Sequence, residues 1–164
     1  MNEVKKRPSA QALKNDDFFS ISTLSGYRRM RRDPQGKSHL LPPDASDEAI
    51  GSAVLDALAH TRLIKLEEAA EFFDYELCKQ QGAQWVDAMV QRYGYKSRRA
   101  LFKDMQCCGI ESTEGLITIS PMRHETLERF GREKGDGIVE VKVSADSTPQ
   151  QIGAALRLGF SRCI

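Results

Sequence analysis

The chain lacks any run approaching the ~18 consecutive apolar residues of a membrane span. Its first seventeen residues are rich in Lys, Arg, Asp and Asn and lack the apolar segment of a secretory signal. A cytosolic protein is expected. Cysteine is scarce: Cys78, Cys107, Cys108 and Cys163 include no C-x-x-C pair, so structural or incidental reduced thiols are expected rather than a disulfide framework. Prolines number only six, which excludes a collagenous chain and argues against a disordered one. An excess of one charge is missing too, since a net charge of +1 excludes strong polycation or polyanion behaviour.

Catalytic signatures are equally absent. His39, His60 and His124 are far apart in sequence, none with a Cys or His partner at zinc spacing. The segment from Gly131 to Gly137, GREKGDG, lacks the order of a phosphate loop and reads as a hairpin turn, and no G-x-S-x-G occurs. No catalytic residue, metal or cofactor is assigned, and no enzymatic activity is expected.

What is present is enough for a folded core: 164 residues, 40% of them hydrophobic and 29% charged, a size that buries about 70% of its unfolded surface. Residues 1–17 show little apolar periodicity and are expected to form a loose arm ahead of a single domain over 18–164. Phe18 to Thr23 alternates as a strand, Ser25-Gly26 allows a turn, and Lys37 to Leu41 reads as a returning strand ended by Pro42-Pro43. Ser46 caps a helix over 47–60. A second helix starts near Leu66 with the apolar face Leu66, Ala69, Ala70, Phe73 and Leu77. A third follows Gly82 and stops at Gly94, and Ser97 caps a short fourth. The period then changes to two over Gly115 to Ser120 and Ile138 to Ser144. Thr148-Pro149 opens a closing helix.

Ile50-Gly51-Ser52-Ala53-Val54 with Thr61-Arg62 echoes Ile152-Gly153-Ala154-Ala155-Leu156 with Ser161-Arg162. Duplication and coincidence both remain open for two such helices. The pattern predicts an α+β fold, an antiparallel sheet with pseudo-duplicated strands-then-helix halves and a helical middle segment.

The near-zero net charge conceals blocks. Tyr27, Arg28, Arg29, Arg31 and Arg32 form a basic run led by an aromatic, and Tyr95 interleaves with Lys96, Arg98 and Arg99. Such patterns suit phosphate tracking and base stacking, so a single-stranded nucleic-acid binder is one reading. Residues 44–76 are acidic. There Glu67 and Glu71 repel at helical spacing, by about 0.2–0.5 kcal/mol per pair, unless a cation answers them. Glu67, Glu68, Glu71 and Asp74 either pair with the arginine runs or face a basic partner.

The run from Phe19 to Pro34, FSISTLSGYRRMRRDP, resembles the opening of the immunity proteins of bacterial contact-dependent growth inhibition (CDI) systems. Tyr93-Gly94-Tyr95-Lys96-Ser97 leading to Leu101 to Met105, and Ile152 to Leu156 with Ser161-Arg162-Cys163, agree with it. The resemblance spans about Phe18 to Cys163. It implies a cytosolic antitoxin that binds the C-terminal toxin domain, a nuclease for some relatives, of its own cell-surface effector. It implies no cofactor, no membrane and no catalysis. Some relatives receive a toxin β-hairpin against a sheet edge, and a Whirly-like fold is implied as well. Nuclease surfaces that hold phosphate carry Lys and Arg, so the acidic residues Glu67, Glu68, Glu71 and Asp74 are the expected contacts for such a toxin.

Overall fold

The computed structural model of the chain describes residues 5–164. Its first half contains strands β1 (Ser9–Lys14), β2 (Phe19–Gly26), β3 (Met30–Arg32) and β4 (Ser38–Leu41), then helix α1 (Asp47–Ala59). Helices α2 (Leu66–Phe72), α3 (Tyr75–Tyr93) and α4 (Arg98–Phe102) form the middle. Strands β5 (Gln106–Thr113), β6 (Leu116–Pro121), β7 (Arg123–Thr126), β8 (Arg129–Gly131) and β9 (Val141–Ser144) lead to helix α5 (Pro149–Ser161). Seven strands make one antiparallel sheet in the order β3-β2-β1-β5-β6-β9, with β4 sharing the β2 edge. β7 and β8 form a separate hairpin.

The expected α+β architecture is present, and the echoed segments occupy equivalent places. Helices α1 and α5 pack against each other on one face of the sheet, over Ala10, Ala12, Phe19, Ile21, Ile117 and Ile119. A Cβ on Gly51 would stand 1.7 Å from the Pro149 carbonyl oxygen, and one on Gly153 would stand 1.8 Å from the Asp47 oxygen. Each glycine lies four residues past the start of its helix and touches the first residue of the other. Only hydrogen fits at either place. Ser46, Ser97 and Thr148 cap their helices as expected, accepting from Ala49, Ala100 and Gln151 amides, and Gly94 ends α3 at φ 69°.

The structure corrects the loose arm of residues 1–17. Residues 1–4 lie outside the described residues, but β1 is the central strand, paired with β2 and with β5. Its Ala10 and Ala12 are fully buried, yet alanines alternating with Ser9, Gln11 and Leu13 give no apolar period; backbone pairing on both edges holds the strand. The Ser25-Gly26 turn falls later, because β2 continues to Gly26 opposite Met30. The third helix begins at Tyr75 rather than after Gly82, since the Asp74 carboxylate accepts the Leu77 amide at 2.8 Å. The second helix does not bury its expected apolar face: Leu66 is 85% exposed and no residue of α2 is buried. Of Ile138 to Ser144 only Val141–Ser144 pairs as a strand.

A second core lies on the opposite face of the sheet. Leu13, Phe18, Met105 and Cys107 meet Val86, Met89, Leu101 and Phe102 from α3 and α4. Adjacent Cys107 and Cys108 therefore project to opposite faces, each into a different core.

Candidate functional site

The two basic runs are largely used up inside the molecule. The guanidinium carbon of Arg29 lies over the Phe73 ring at 5.0 Å from its centre, that of Arg31 over Phe72 at 4.9 Å, and that of Arg32 over Trp85 at 4.8 Å. Arg31 also donates to the Phe72 carbonyl at 2.8 Å and to Gln81 Oε1. The run thus fastens α2 and α3 to the sheet edge through cation–π contacts. Arg28 lies over Tyr27, and both are exposed. In the second run Tyr95 donates to Asp17 and accepts from Asn15 Nδ2 at 2.8 Å; burial, then the Asp17 bond, push its hydroxyl up to about 12. Arg98 Nε donates to Glu128 Oε1 at 3.0 Å. Lys96 and Arg99 are exposed and form no ion pair with any described residue.

The acidic residues divide by role. Glu68 Oε2 accepts the Lys65 amide at 3.3 Å and Asp74 caps α3, so these two carboxylates serve helix ends. The Glu67 and Glu71 carboxylates are exposed on α2 and make no hydrogen bond or ion pair with a described residue. Glu68 and Glu71 border a depression of about 280 Å³ together with Arg31 and Arg62. Arg62 itself answers Asp33, not the acidic helix: its Nε and Nη2 each donate to Asp33 at 2.7 Å. Ser25 Oγ adds a donor at 2.6 Å and the Gln35 amide one at 2.9 Å. Burial alone would raise the Asp33 carboxyl, but the bonds from Arg62, Ser25 and Gln35 outweigh it and hold the group below the usual carboxylate range.

Arg31, Arg32 and Arg98 meet at a groove of about 700 Å³ on the face opposite α1 and α5. Gln11 and Leu13 of β1 line it from the sheet, Gln84 and Trp85 of α3 from one wall, and Phe130 of β8 from the other. The Arg98–Glu128 pair closes one side. Sequence reasoning missed this groove because β1, β8 and α3 contribute to it from distant parts of the chain. The one available signal was an arginine run with Phe72, Phe73 and Trp85 elsewhere to receive it. Burial lowers the Arg32 guanidinium from the ordinary arginine value, with Arg31 beside it. β8 pairs only with β7, so its other edge carries no strand among the described residues. The far edge of β7 is occupied: His124 donates to Ile164 and Met122 to Cys107.

Among the described residues no group of three His, Cys, Asp or Glu side chains could hold a metal, and no helix is long and apolar enough to cross a membrane. His39 contacts Asp56 at 2.7 Å, His60 contacts the same carboxylate, and His124 stacks on Phe130. Cys108 and Cys163 bring their sulfurs to 3.8 Å, while Cys107 is fully buried and pushed up to about 12 by that burial.

Comparison with known proteins adds the remaining finding. The family model described as CDI immunity protein matches residues 8–163. The immunity protein CdiI-YPIII of Yersinia pseudotuberculosis serotype O:3 is 40% identical, across 99% of both chains. A CdiA-CT/CdiI toxin and immunity complex from Yersinia pseudotuberculosis contains a chain of the same fold, with a TM-score of 0.89, 39% identity, and coverage of 99% of this chain and 100% of that one. A Neisseria meningitidis protein of unknown function superposes with a TM-score of 0.90 at 37% identity, over 100% of this chain and 99% of that one. With the match running from the start of β1 past the end of α5, this chain belongs to the CDI immunity protein family.

Proposed function

We propose that the chain binds the C-terminal toxin domain of a cognate cell-surface effector in the cytosol and thereby neutralises it, and that this toxin is a nuclease. The observation that carries the reading is the open groove beside the edge of β8 that no described strand pairs. An extended toxin segment adding to that edge gains main-chain hydrogen bonds, while its alternate side chains enter the groove and supply specificity. Family membership over nearly the whole chain supports this assignment. Glu67 and Glu71 form an unpaired acidic patch on α2, which steers a basic nuclease surface by raising the association rate more than it deepens affinity. Glu68 and Asp74 contribute charge to the same patch while capping their helices.

The alternative, a single-stranded nucleic-acid binder, has weaker support. Arg31 and Tyr95, two of its central groups, are hydrogen-bonded within the fold. The test is co-expression with the toxin domain encoded beside the chain. Host survival that depends on this chain, and arrest of the purified toxin's cleavage of plasmid DNA or total RNA, are the expected results. Growth arrest unchanged by co-expression overturns the reading. In a gel shift with a single-stranded oligonucleotide, sub-micromolar binding that weakens steeply with salt would favour the alternative.

A further inference from the structure

We propose that Arg32 is a carboxylate receptor at the floor of the groove, and that the toxin is selected in part by an Asp or Glu side chain that it inserts there. This rests on the toxin-binding reading above and names the chemistry of that contact.

The cations around the groove are not equivalent. Arg98 is held by Glu128, and Arg31 by the Phe72 carbonyl and Gln81. The Arg32 guanidinium makes no hydrogen bond or ion pair with any described residue, although it is half-buried; it lies over the Trp85 ring, 4.8 Å from its centre. A guanidinium carries its five N–H donors in its own plane, and a contact with a ring face engages its charge without giving those donors a lone-pair acceptor. Those donors match the two oxygens of a carboxylate, and the contact with Trp85 restrains the fork before the partner arrives. The charge cannot be discarded, because arginine keeps its proton. A neutral side chain entering the groove would strip water from these donors and return nothing, and a basic one would be repelled.

The groove also has room for the segment that brings the carboxylate. Gly82 stands on the α3 wall, and apart from its chain neighbours and its own helix backbone no heavy atom lies within 4 Å of the place its Cβ would take. The wall is therefore open at a position where an alanine would have served the helix better. Gln11 and Gln84 line the same space and offer amides to the remaining oxygen lone pairs.

The experiment measures binding of the toxin domain encoded beside the chain to the full-length protein and three variants. Arg32→Met keeps an apolar stem on Trp85 and removes the fork; affinity should fall at least 30-fold, mainly through faster dissociation. Arg32→Lys keeps the charge without the planar fork and should fall between, and it carries the comparison if Arg32→Met melts appreciably lower. An Asp→Asn and Glu→Gln scan of the toxin should find one position whose loss is strongly non-additive with Arg32→Met. Affinity of Arg32→Met within threefold of the natural protein, or no coupled toxin carboxylate, overturns the inference. Gly82→Leu separates this failure from a failure of the site: it fills the groove while leaving Arg32 in place, and should weaken binding sharply. Normal toxin binding by Gly82→Leu refutes the groove as the site, and no toxin binding by the natural chain refutes the function.

Discussion

Replacing Asp33 by Asn changes almost no volume and tests a carboxylate enclosed by its hydrogen-bond donors. Asp33 is 4% exposed and receives four donors: two from Arg62, one from Ser25 and one from the Gln35 amide. An amide offers one oxygen in place of two and turns an NH2 group toward donors, so at least one N–H of a charged partner is stranded. Removing one member of a buried ion pair costs about 3–5 kcal/mol. The Arg62 side chain is 37% exposed and recovers part of its hydration, which brings the expected loss to about 3 kcal/mol. For a chain of this size that lowers Tm by roughly 6–12 °C. The pH dependence has a definite sign. Because the folded carboxyl lies below the unfolded value of about 3.9, its stabilisation is fully present above that value and is lost as pH falls through the folded one. Urea unfolding of both proteins at pH 7 and at pH 3 should show a gap that narrows in acid. A gap under about 0.5 kcal/mol at pH 7, or one that persists unchanged at pH 3, refutes the reasoning. Arg32 and Pro34 flank Asp33 and line the groove, so the variant should also weaken toxin binding.

The same substitution should have opposite signs at two kinds of helical glycine. Gly153→Ala and Gly51→Ala each drive a Cβ into a backbone oxygen of the facing helix and should destabilise by about 2–4 kcal/mol despite the helix preference for alanine. Gly82→Ala meets open space and should stabilise by about 0.5–1 kcal/mol, read by urea midpoint at constant slope. Among the thiols, Cys163 is half-buried and held below the usual thiol range first by the Cys108 hydrogen bond, so iodoacetamide should modify it in the native state while Cys107 reacts only after denaturation. Peptide mapping that finds Cys107 modified first would contradict this. Tyr95→Phe removes a hydroxyl bonded to Asn15 and Asp17 and should cost about 1 kcal/mol, measured in the same urea assay.

Helix ends were the most legible features in the sequence, because a cap is written within four residues: Ser46, Ser97, Thr148-Pro149 and Gly94 all act where their local chemistry places them. The Gly51 and Gly153 echo was legible as a pattern but not as a contact. β1 was hidden because its stability comes from partners on both edges rather than from its own apolar residues. The basic runs showed their charge and their aromatics in sequence, while the rings that Arg29, Arg31 and Arg32 use belong to α2 and α3. A pairing made across the fold leaves no trace in local spacing.

The position of β1 carries a consequence for how protection is acquired. Ser9 leaves the ribosome well before its partner Glu111, which is made roughly a hundred residues later, about 5–20 s at ordinary synthesis rates. During that interval the strand destined for the middle of the sheet has only β2 beside it, and an isolated hairpin is marginal in water. Ordering of the sheet must await β5, a high-contact-order step that makes folding slow relative to helical bundles. A cell therefore draws its resistance from chains completed earlier rather than from those still being translated, and interruption of protein synthesis would leave its existing stock as the whole of its defence.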